Sequence, residues 1–153
     1  LSKFTDLRFL IAGPIENNSI NLNGLDDNIE YLGFVKPEKL GEVLVSGTIL
    51  LNLSKRDGFG VVNIEAAAHG VPVIAYDIVG IRDSVSHGNS GVLIPEEYIV
   101  DIQYITSEVM SLYNNDKIFK DLQLSSFYFA KQNFNELVVM NNLIRLICND
   151  WEY

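Results

Sequence analysis

Residues 54–75 read SKRDGFGVVNIEAAAHGVPVIA, and they follow an apolar run at residues 48–53. Gly58 and Gly60 flank a phenylalanine where that run gives way to polar residues, which predicts a strand that ends in a tight turn. A helix is expected from about residue 59 to residue 69, because small and apolar residues dominate there and a glycine follows. The apolar letters that close the stretch predict a second buried strand.

Two carboxylates bracket the turn, with Asp57 before it and Glu65 in the second turn of the expected helix. Gly58 and Gly60 permit positive φ and close backbone approach, so the first free amides of the helix could face an anion. Glu65 is the only charged side chain between Asp57 and His69. The pattern indicates a site for a phosphate or a sugar hydroxyl.

The same residues also have structural interpretations. Asp is a common helix cap, and two glycines can serve a turn without binding anything. Glu65 could be a solvated helix residue, but its apolar neighbours leave little solvated face, which favours a ligand role. The other charged residues near the turn are interpreted as surface or helix-end groups without a catalytic role: Lys55, Arg56, His69 and His87.

The order of the residues in this stretch resembles the C-terminal, nucleotide-sugar-binding domain of retaining glycosyltransferases of the GT-B fold, family 4 (glycosyl transferases group 1). The resemblance rests on an acidic residue, Gly-Phe-Gly, a second acid after an interval, a glycine and a Pro-Val-Ile-Ala strand. It extends over roughly residues 7–94. The matching positions are Asp57, Gly58-Phe59-Gly60, Glu65, Gly70 and Pro72-Val73-Ile74-Ala75.

The resemblance implies a donor site. Glu65 would hydrogen-bond the ribose of the nucleotide, and Asp57 would contact a hydroxyl of the donor sugar, which makes these two the candidate catalytic residues. The amides of Gly58, Phe59 and Gly60 would lie along the sugar and the diphosphate. Further donor-binding candidates are Val35 and Lys36, which would meet the base, and Gly13.

Two positions depart from the family pattern. Asp57 stands where the family usually has Glu, so its carboxylate reaches about one methylene less far. The family's Gly-Gly-x-x-Glu appears as residues 79–83, Val-Gly-Ile-Arg-Asp, with one glycine lost and Asp83 as the shorter acid.

Apolar runs alternate with helical or loop segments along the chain. Their near-continuous hydrophobicity predicts an α/β fold, a Rossmann-like parallel sheet with helices on both faces. Helices are expected at residues 37–46 and on two carboxy-terminal segments with helical spacing at 102–112 and 137–147. Residues 127–153 are expected to expose apolar surface. The expected strands lie near residues 7–12, 29–34, 48–53, 71–76 and 91–94.

The resemblance further implies one donor-binding domain over residues 1–153, the C-terminal half of a GT-B enzyme. The family's first strand and helix, with the Arg and Lys that neutralise the donor diphosphate, are expected to be missing from this sequence. The acceptor-binding domain of the same chain is likewise expected to be absent. The fragment alone is therefore expected to be inactive, although the longer chain would be a hexosyltransferase.

The composition narrows the classes of partner. The chain has 153 residues, 48% of them hydrophobic and 20% charged, which suits one globular domain. Its net charge of −9 disfavours binding to nucleic acid. Its single cysteine cannot form an internal disulfide, and no metal site is expected. These features predict a cytoplasmic protein, with contact to the inner face of a membrane expected only through the absent domain.

The predicted function is transfer of a sugar from a nucleotide diphosphate to a hydroxyl acceptor, with retention and without a metal or other cofactor. The acceptor could be a glycan, a lipid or a small molecule. Two alternatives stay open: a nucleotide-sugar epimerase of the same architecture, and a non-catalytic assembly module with a decayed site. The nucleotide base and the sugar are not specified by the sequence.

Overall fold

The computed structural model describes residues 6–14 and 25–149, with side chains as far as residue 145. The chain divides into two compact units, residues 1–43 and residues 44–153. Every strand pairing in the described part of either unit is parallel. The predicted α/β class is therefore confirmed.

The first unit contains a parallel pair of strands, β1 (Phe9–Ala12) and β2 (Ile29–Gly33). The pairing continues past β1, because the amide of Gly13 donates to the carbonyl of Gly33 at 2.8 Å. Helix α1 (Pro37–Ser46) begins in this unit, and Pro37 suits its first position because the first amides of a helix have no partner inside the helix.

The second unit is built on three parallel strands in the order β3-β4-β5. The middle strand is buried along its whole length, which explains why the sequence there is continuously apolar. The strands are β3 (Leu50–Asn52), β4 (Val73–Tyr76) and β5 (Gly91–Ile94), and the helices are α2 (Val61–Ala68), α3 (Ile81–Ser84), α4 (Ile102–Tyr113), α5 (Asp116–Asn133) and α6 (Glu136–Asn149), with a 3₁₀ turn at Glu96–Tyr98.

All five predicted strands are present, but they pair as two sheets, β1-β2 and β3-β4-β5. The sequence predicts where strands lie from local hydrophobicity, whereas pairing depends on which strands become neighbours. Among the described residues, no strand pairs with both β1 and β3.

The core of the second unit lies between β4 and the helices, and its largest fully buried side chains include Ile74, Ile81, Ile94 and Ile105. Helix α5 packs against α2, and α4 packs against α5. The seryl hydroxyl of Ser125 also fixes α5 to the loop before β5, since it donates to the carbonyl of Asn89 at 2.6 Å.

The carboxy-terminal helices follow their predicted spacing with one exception. In α4, Ile105, Val109 and Leu112 are buried as expected, but Ile102 is 66% exposed because it is the first residue of the helix. In the described part of α6, five apolar side chains are exposed, as predicted: Leu137 at 75%, Val139, Met140, Leu143 and Ile144. The predicted position Ile147 lies outside the side chains that the structure describes. Within the described residues, no helix has both the length and the apolar character needed to cross a membrane.

Gly91 of β5 lies directly against the backbone of β4 and supplies a test of this sheet. A Cβ atom built on Gly91 would lie 2.1 Å from the carbonyl oxygen of Val73, a backbone atom that cannot rotate away. We expect Gly91→Ala to lower the free energy of unfolding by about 2 kcal/mol or more, measured by urea denaturation.

The matched control is Ser111→Ala on the exposed face of α4. Its free energy of unfolding should stay within about 0.5 kcal/mol of the wild-type value. Equal stabilities of the Gly91→Ala and Ser111→Ala variants would contradict the β4-β5 register.

Candidate functional site

Asp57 organises the glycine-rich turn that follows β3. Its carboxylate oxygen Oδ1 accepts hydrogen bonds from the amides of Phe59, at 3.1 Å, and Gly60, at 2.7 Å. The amide of Phe59 is the main cause that lowers the pKa of Asp57, with further lowering by the Gly60 amide and the Asn52 side chain, while burial acts in the opposite direction. Asp57 is therefore a carboxylate whose charge is held by the turn itself.

The turn places Gly60 in the left-handed conformation, with φ of 69°. For this reason α2 begins at Val61, two residues later than the sequence predicts. Gly60 is also closely packed, because a Cβ atom there would lie 2.3 Å from Nδ2 of Asn63. Gly58 faces open space and does not adopt positive φ, so the conformational freedom expected of both glycines is used only at Gly60.

Phe59 ties the turn to the end of α5. Its ring meets the ring of Phe134 edge-on at a centroid distance of 6.0 Å, and Phe134 meets Phe129 in the same way at 5.6 Å. Edge-to-face pairs of this kind add to the stabilisation from buried area alone. The Phe59 side chain is therefore directed by aromatic packing.

Glu65 lies on α2 and is half-buried. Its carboxylate has no hydrogen-bond or salt-bridge partner in the part of the chain that the structure describes. The backbone carbonyl of Glu65 accepts a bond from Nδ1 of His69 at 2.7 Å, and His69 caps the end of the helix. The helix-end interpretation of His69 is thus confirmed.

A network of hydrogen-bonded polar side chains, most of them buried, supports the turn. Asn63 is 0% exposed, and its amide group bridges two elements: its oxygen accepts from Nδ2 of Asn52 at 3.0 Å, and its nitrogen donates to Oγ of Ser84 at 3.0 Å. Ser84 in turn donates to the carbonyl of Ile81 at 3.1 Å. This network links the end of β3, helix α2 and helix α3.

Sequence reasoning missed this network. The signal was a single asparagine among the apolar residues of α2, and such a residue must be hydrogen-bonded if it is buried. Its partners come from segments far away in the sequence, so the pattern alone could not name them.

The loop after β4 holds the turn from the other side. Gly80 has φ of 94°, and a Cβ atom there would lie 2.6 Å from the carbonyl oxygen of Asp57 and 2.5 Å from that of Gly58. Glycine is the only residue that allows this close contact between two backbones. The glycine that remains of the family's Gly-Gly pair is therefore the one that contacts the turn.

A cleft of about 350 Å³ opens beside Asp57 at the carboxyl ends of β3, β4 and β5. Arg82 in this cleft is bound to Asp77, since its Nε donates to the carboxylate and its Nη2 donates to the backbone carbonyl at 3.2 Å. This hydrogen bond and the charge of Asp77 raise the pKa of Arg82 further. The lining residues are Lys55, Arg56, Asp57, Asp77, Ile78, Val79, Arg82 and Glu96.

The cleft changes the interpretation of two basic residues. Lys55 and Arg56 are exposed, as predicted for surface charges, but they line the cleft beside Asp57. Arg82 also lines it, although the sequence did not suggest a role for that residue. Asp83, one residue further, is exposed on α3 and does not line the cleft.

Three predicted residues belong to the first unit. Gly13 follows β1 with φ of 124°, and its carbonyl accepts from the hydroxyl of Tyr31 at 2.9 Å. Val35 and Lys36 follow β2, where Val35 is half-buried and Lys36 is exposed. Because β1 and β2 are parallel neighbours, these residues lie at the same carboxyl edge of their sheet.

Solved structures show the same fold. The crystal structure of Anabaena Alr3699/HepE in complex with UDP has a TM-score of 0.81 with this chain at 17% identity, and the match covers 95% of this chain and 42% of that one. Because the match covers less than half of that chain, it shows that this chain has the fold of one part of a GT-B protein.

Sequence comparison supplies the family. The model of the Glycosyl transferases group 1 family matches residues 1–115, and the chain belongs to that family. It is 28% identical over 98 residues to N-acetyl-alpha-D-glucosaminyl L-malate synthase of Bacillus anthracis, a match that covers 64% of this chain and 24% of the relative. It is 33% identical over 118 residues to the phosphatidylinositol N-acetylglucosaminyltransferase gpi3 subunit of Schizosaccharomyces pombe, covering 73% of this chain and 25% of the relative. The chain thus spans about a quarter of the length of these curated relatives.

The buried amide of Asn63 gives a stability test. Asn63→Ala removes both hydrogen bonds, leaves Nδ2 of Asn52 without its acceptor and leaves Oγ of Ser84 with only its bond to Ile81, which should lower the free energy of unfolding by about 2–3 kcal/mol. Urea denaturation measures the change. Asn142→Ala, at an exposed position of α6, is the control and should stay within about 0.5 kcal/mol of wild type. A loss no larger than that of the control would mean that the network does not support the turn.

The lowered pKa of Asp57 gives a pH test. Because the folded-state pKa lies below the ordinary 3.8, the stability that ionised Asp57 contributes is present above that value and is lost as the pH falls through the folded pKa. An NMR titration of the Asp57 carboxyl carbon should show a midpoint below 3.8. In Asp57→Asn, the corresponding loss of stability at acid pH should be smaller. A midpoint at or above 3.8 would show that the two amide bonds do not form in solution.

Proposed function

We propose that this chain forms the donor-binding part of a retaining glycosyltransferase, which moves a sugar from a nucleotide diphosphate to a hydroxyl acceptor. Membership of the glycosyl transferase family supports transfer chemistry. The observation that carries the donor site is Glu65, a half-buried carboxylate without a protein partner in the described residues. A carboxylate in that setting is available to hydrogen-bond the two hydroxyls of a ribose.

Some polar groups of the turn hold its shape, whereas others are available to a ligand. Because the amides of Phe59 and Gly60 donate to Oδ1 of Asp57, we assign them to the shape of the turn. Oδ2 of Asp57 remains available to accept a hydrogen bond from a donor-sugar hydroxyl. The ligand would lie beside Gly58, where the space next to the Cα is open. The roles of Val35, Lys36 and Gly13 near the base are carried by the family resemblance alone.

The chemistry would be electrostatic. As the bond to the leaving diphosphate breaks, negative charge grows on the phosphate and positive charge grows on the sugar. The N-terminal end of α2 carries a partial positive charge that favours the phosphate. The ionised Asp57 favours the positive sugar. We propose that no metal or other cofactor takes part and that the nucleotide-diphosphate sugar is the substrate.

We propose that residues 1–153 belong to one donor-binding domain, as the family resemblance implies. A cytoplasmic setting is part of the proposal and agrees with the single cysteine.

UDP is the first nucleotide to test, since UDP is bound in the structure of Anabaena Alr3699/HepE. We expect UDP to bind this chain and Glu65→Gln to raise the Kd at least about tenfold, because one charge-assisted hydrogen bond is worth about 1.5–3 kcal/mol. Isothermal titration calorimetry with UDP, GDP and ADP measures the affinities and identifies the base.

Glu136→Gln removes an equal charge from the exposed first turn of α6 and serves as the matched control, with a Kd within about twofold of wild type. Equal affinity of the Glu65→Gln variant and wild type would remove Glu65 from the donor site. No binding of any of the three nucleotides would contradict a donor site formed by this chain.

A further inference from the structure

The cleft beside Asp57 is lined largely by charged side chains, and the donor site does not account for it. Six of its eight lining residues are ionisable side chains, and three of these are cations. The chain as a whole has 11 basic and 20 acidic residues. The three cations and three acids of the cleft balance in formal charge, so binding of an anion depends on the basic side chains that the acids leave available.

The three acids of the cleft do not neutralise all of its basic side chains. Asp77 is committed to Arg82 through its carboxylate and its backbone carbonyl. Asp57 is committed at Oδ1 to two backbone amides. Glu96 is exposed and lies near enough to act electrostatically on Arg82. The side chains of Lys55 and Arg56 have no hydrogen-bond or salt-bridge partner among the described residues, and Arg56 is bonded to Ser54 only through its backbone.

Arg82 is positioned as an anion ligand by its bond to Asp77. A guanidinium group has five N–H donors in a planar fork. Two of them, one on Nε and one on Nη2, are used by Asp77, which leaves three. An arginine that is held on one edge and open on the other suits bidentate contact with a phosphate.

The position of the cleft indicates which substrate would carry the anion. None of Gly58, Phe59, Gly60 and Glu65 lines the cleft, and Asp57 is the only residue shared with the donor site. Asp57 is proposed to contact the sugar end of the donor, and Glu65 the nucleotide end. A group in the cleft therefore lies beyond the donor sugar, where the acceptor must approach.

We propose that Lys55, Arg56 and Arg82 bind a phosphate group carried by the acceptor substrate, so that this transferase acts on a phosphorylated hydroxyl compound. The inference rests on the proposed donor site for its assignment to the acceptor. The cleft itself stands on the lining residues and the Asp77–Arg82 pair.

Glucose 6-phosphate and inorganic phosphate are the probes, titrated into the 153-residue chain and followed by ligand-observed NMR. Wild type should bind both, and the double variant Lys55→Gln/Arg56→Gln should bind at least about tenfold more weakly because two charge-assisted contacts are lost. Arg82→Gln should weaken binding to a similar extent. The control is Lys117→Gln/Lys120→Gln, which removes the same charge from exposed positions of α5 and should leave the Kd within about twofold.

Equal weakening by the control pair, or no binding to wild type, would overturn the site. Circular dichroism of each variant separates loss of binding from loss of folding. If Arg82→Gln unfolds, the Lys55→Gln/Arg56→Gln variant still tests the site, because both of its residues are exposed.

A second measurement assigns the anion to its substrate. Glucose 6-phosphate is titrated into wild type with and without saturating UDP-glucose. The protein should bind glucose 6-phosphate and UDP-glucose at the same time. Displacement by UDP-glucose would overturn the acceptor assignment and give the cleft to the donor diphosphate. If UDP and UDP-glucose do not bind at all, the proposed function fails, whereas the phosphate titrations still decide whether the cleft is an anion site.

Discussion

The two hydrogen bonds from the amides of Phe59 and Gly60 to the carboxylate of Asp57 are the constraint on which the candidate site depends. They close the turn, keep Asp57 ionised and place Gly60 where α2 can begin. Gly80 then packs on the Asp57 and Gly58 carbonyls from the adjoining loop, a contact that any side chain would prevent. The turn is therefore fixed from both sides before a ligand arrives.

The substitution of Asp for the family's Glu gains a physical meaning from these bonds. An aspartate carboxylate is short enough to accept from amides two and three residues further along the chain, the geometry of an Asx turn. A glutamate at the same place would carry its charge one methylene further out. The shorter acid thus shifts Asp57 from reaching the ligand toward shaping the turn, although Oδ2 stays available.

The net negative charge of the protein opposes the binding of an anionic substrate, and local groups at the site offset this repulsion. A chain with a net charge of −9 repels anionic substrates at long range. The N-terminus of α2 and the basic side chains of the cleft supply local donors for an anion at the strand ends, beside the three acids that line the same cleft. The Asp77–Arg82 pair holds one of these cations in place without neutralising its remaining donors.

Local sequence signals predicted most of the fold and part of the site. The hydrophobic runs and the glycines at residues 58, 60 and 70 predicted where the strands and α2 lie, because both signals depend on only a few neighbouring residues. The split into two sheets, the Asn63 network and the position of Arg82 depend on segments that meet only in the folded chain. Helix α2 begins two residues later than predicted because Gly60 adopts the left-handed conformation, which no helical residue has.

Amide chemical-shift mapping with UDP-glucose tests the central claim, that the turn held by Asp57 and the first turns of α2 form the donor site. The account predicts that the largest shifts fall on the amides of Gly58 and of residues 61–65, while those of α6 stay unchanged. Shifts spread over α5 and α6 with none at the turn would contradict the account and move the nucleotide site to another face of the protein.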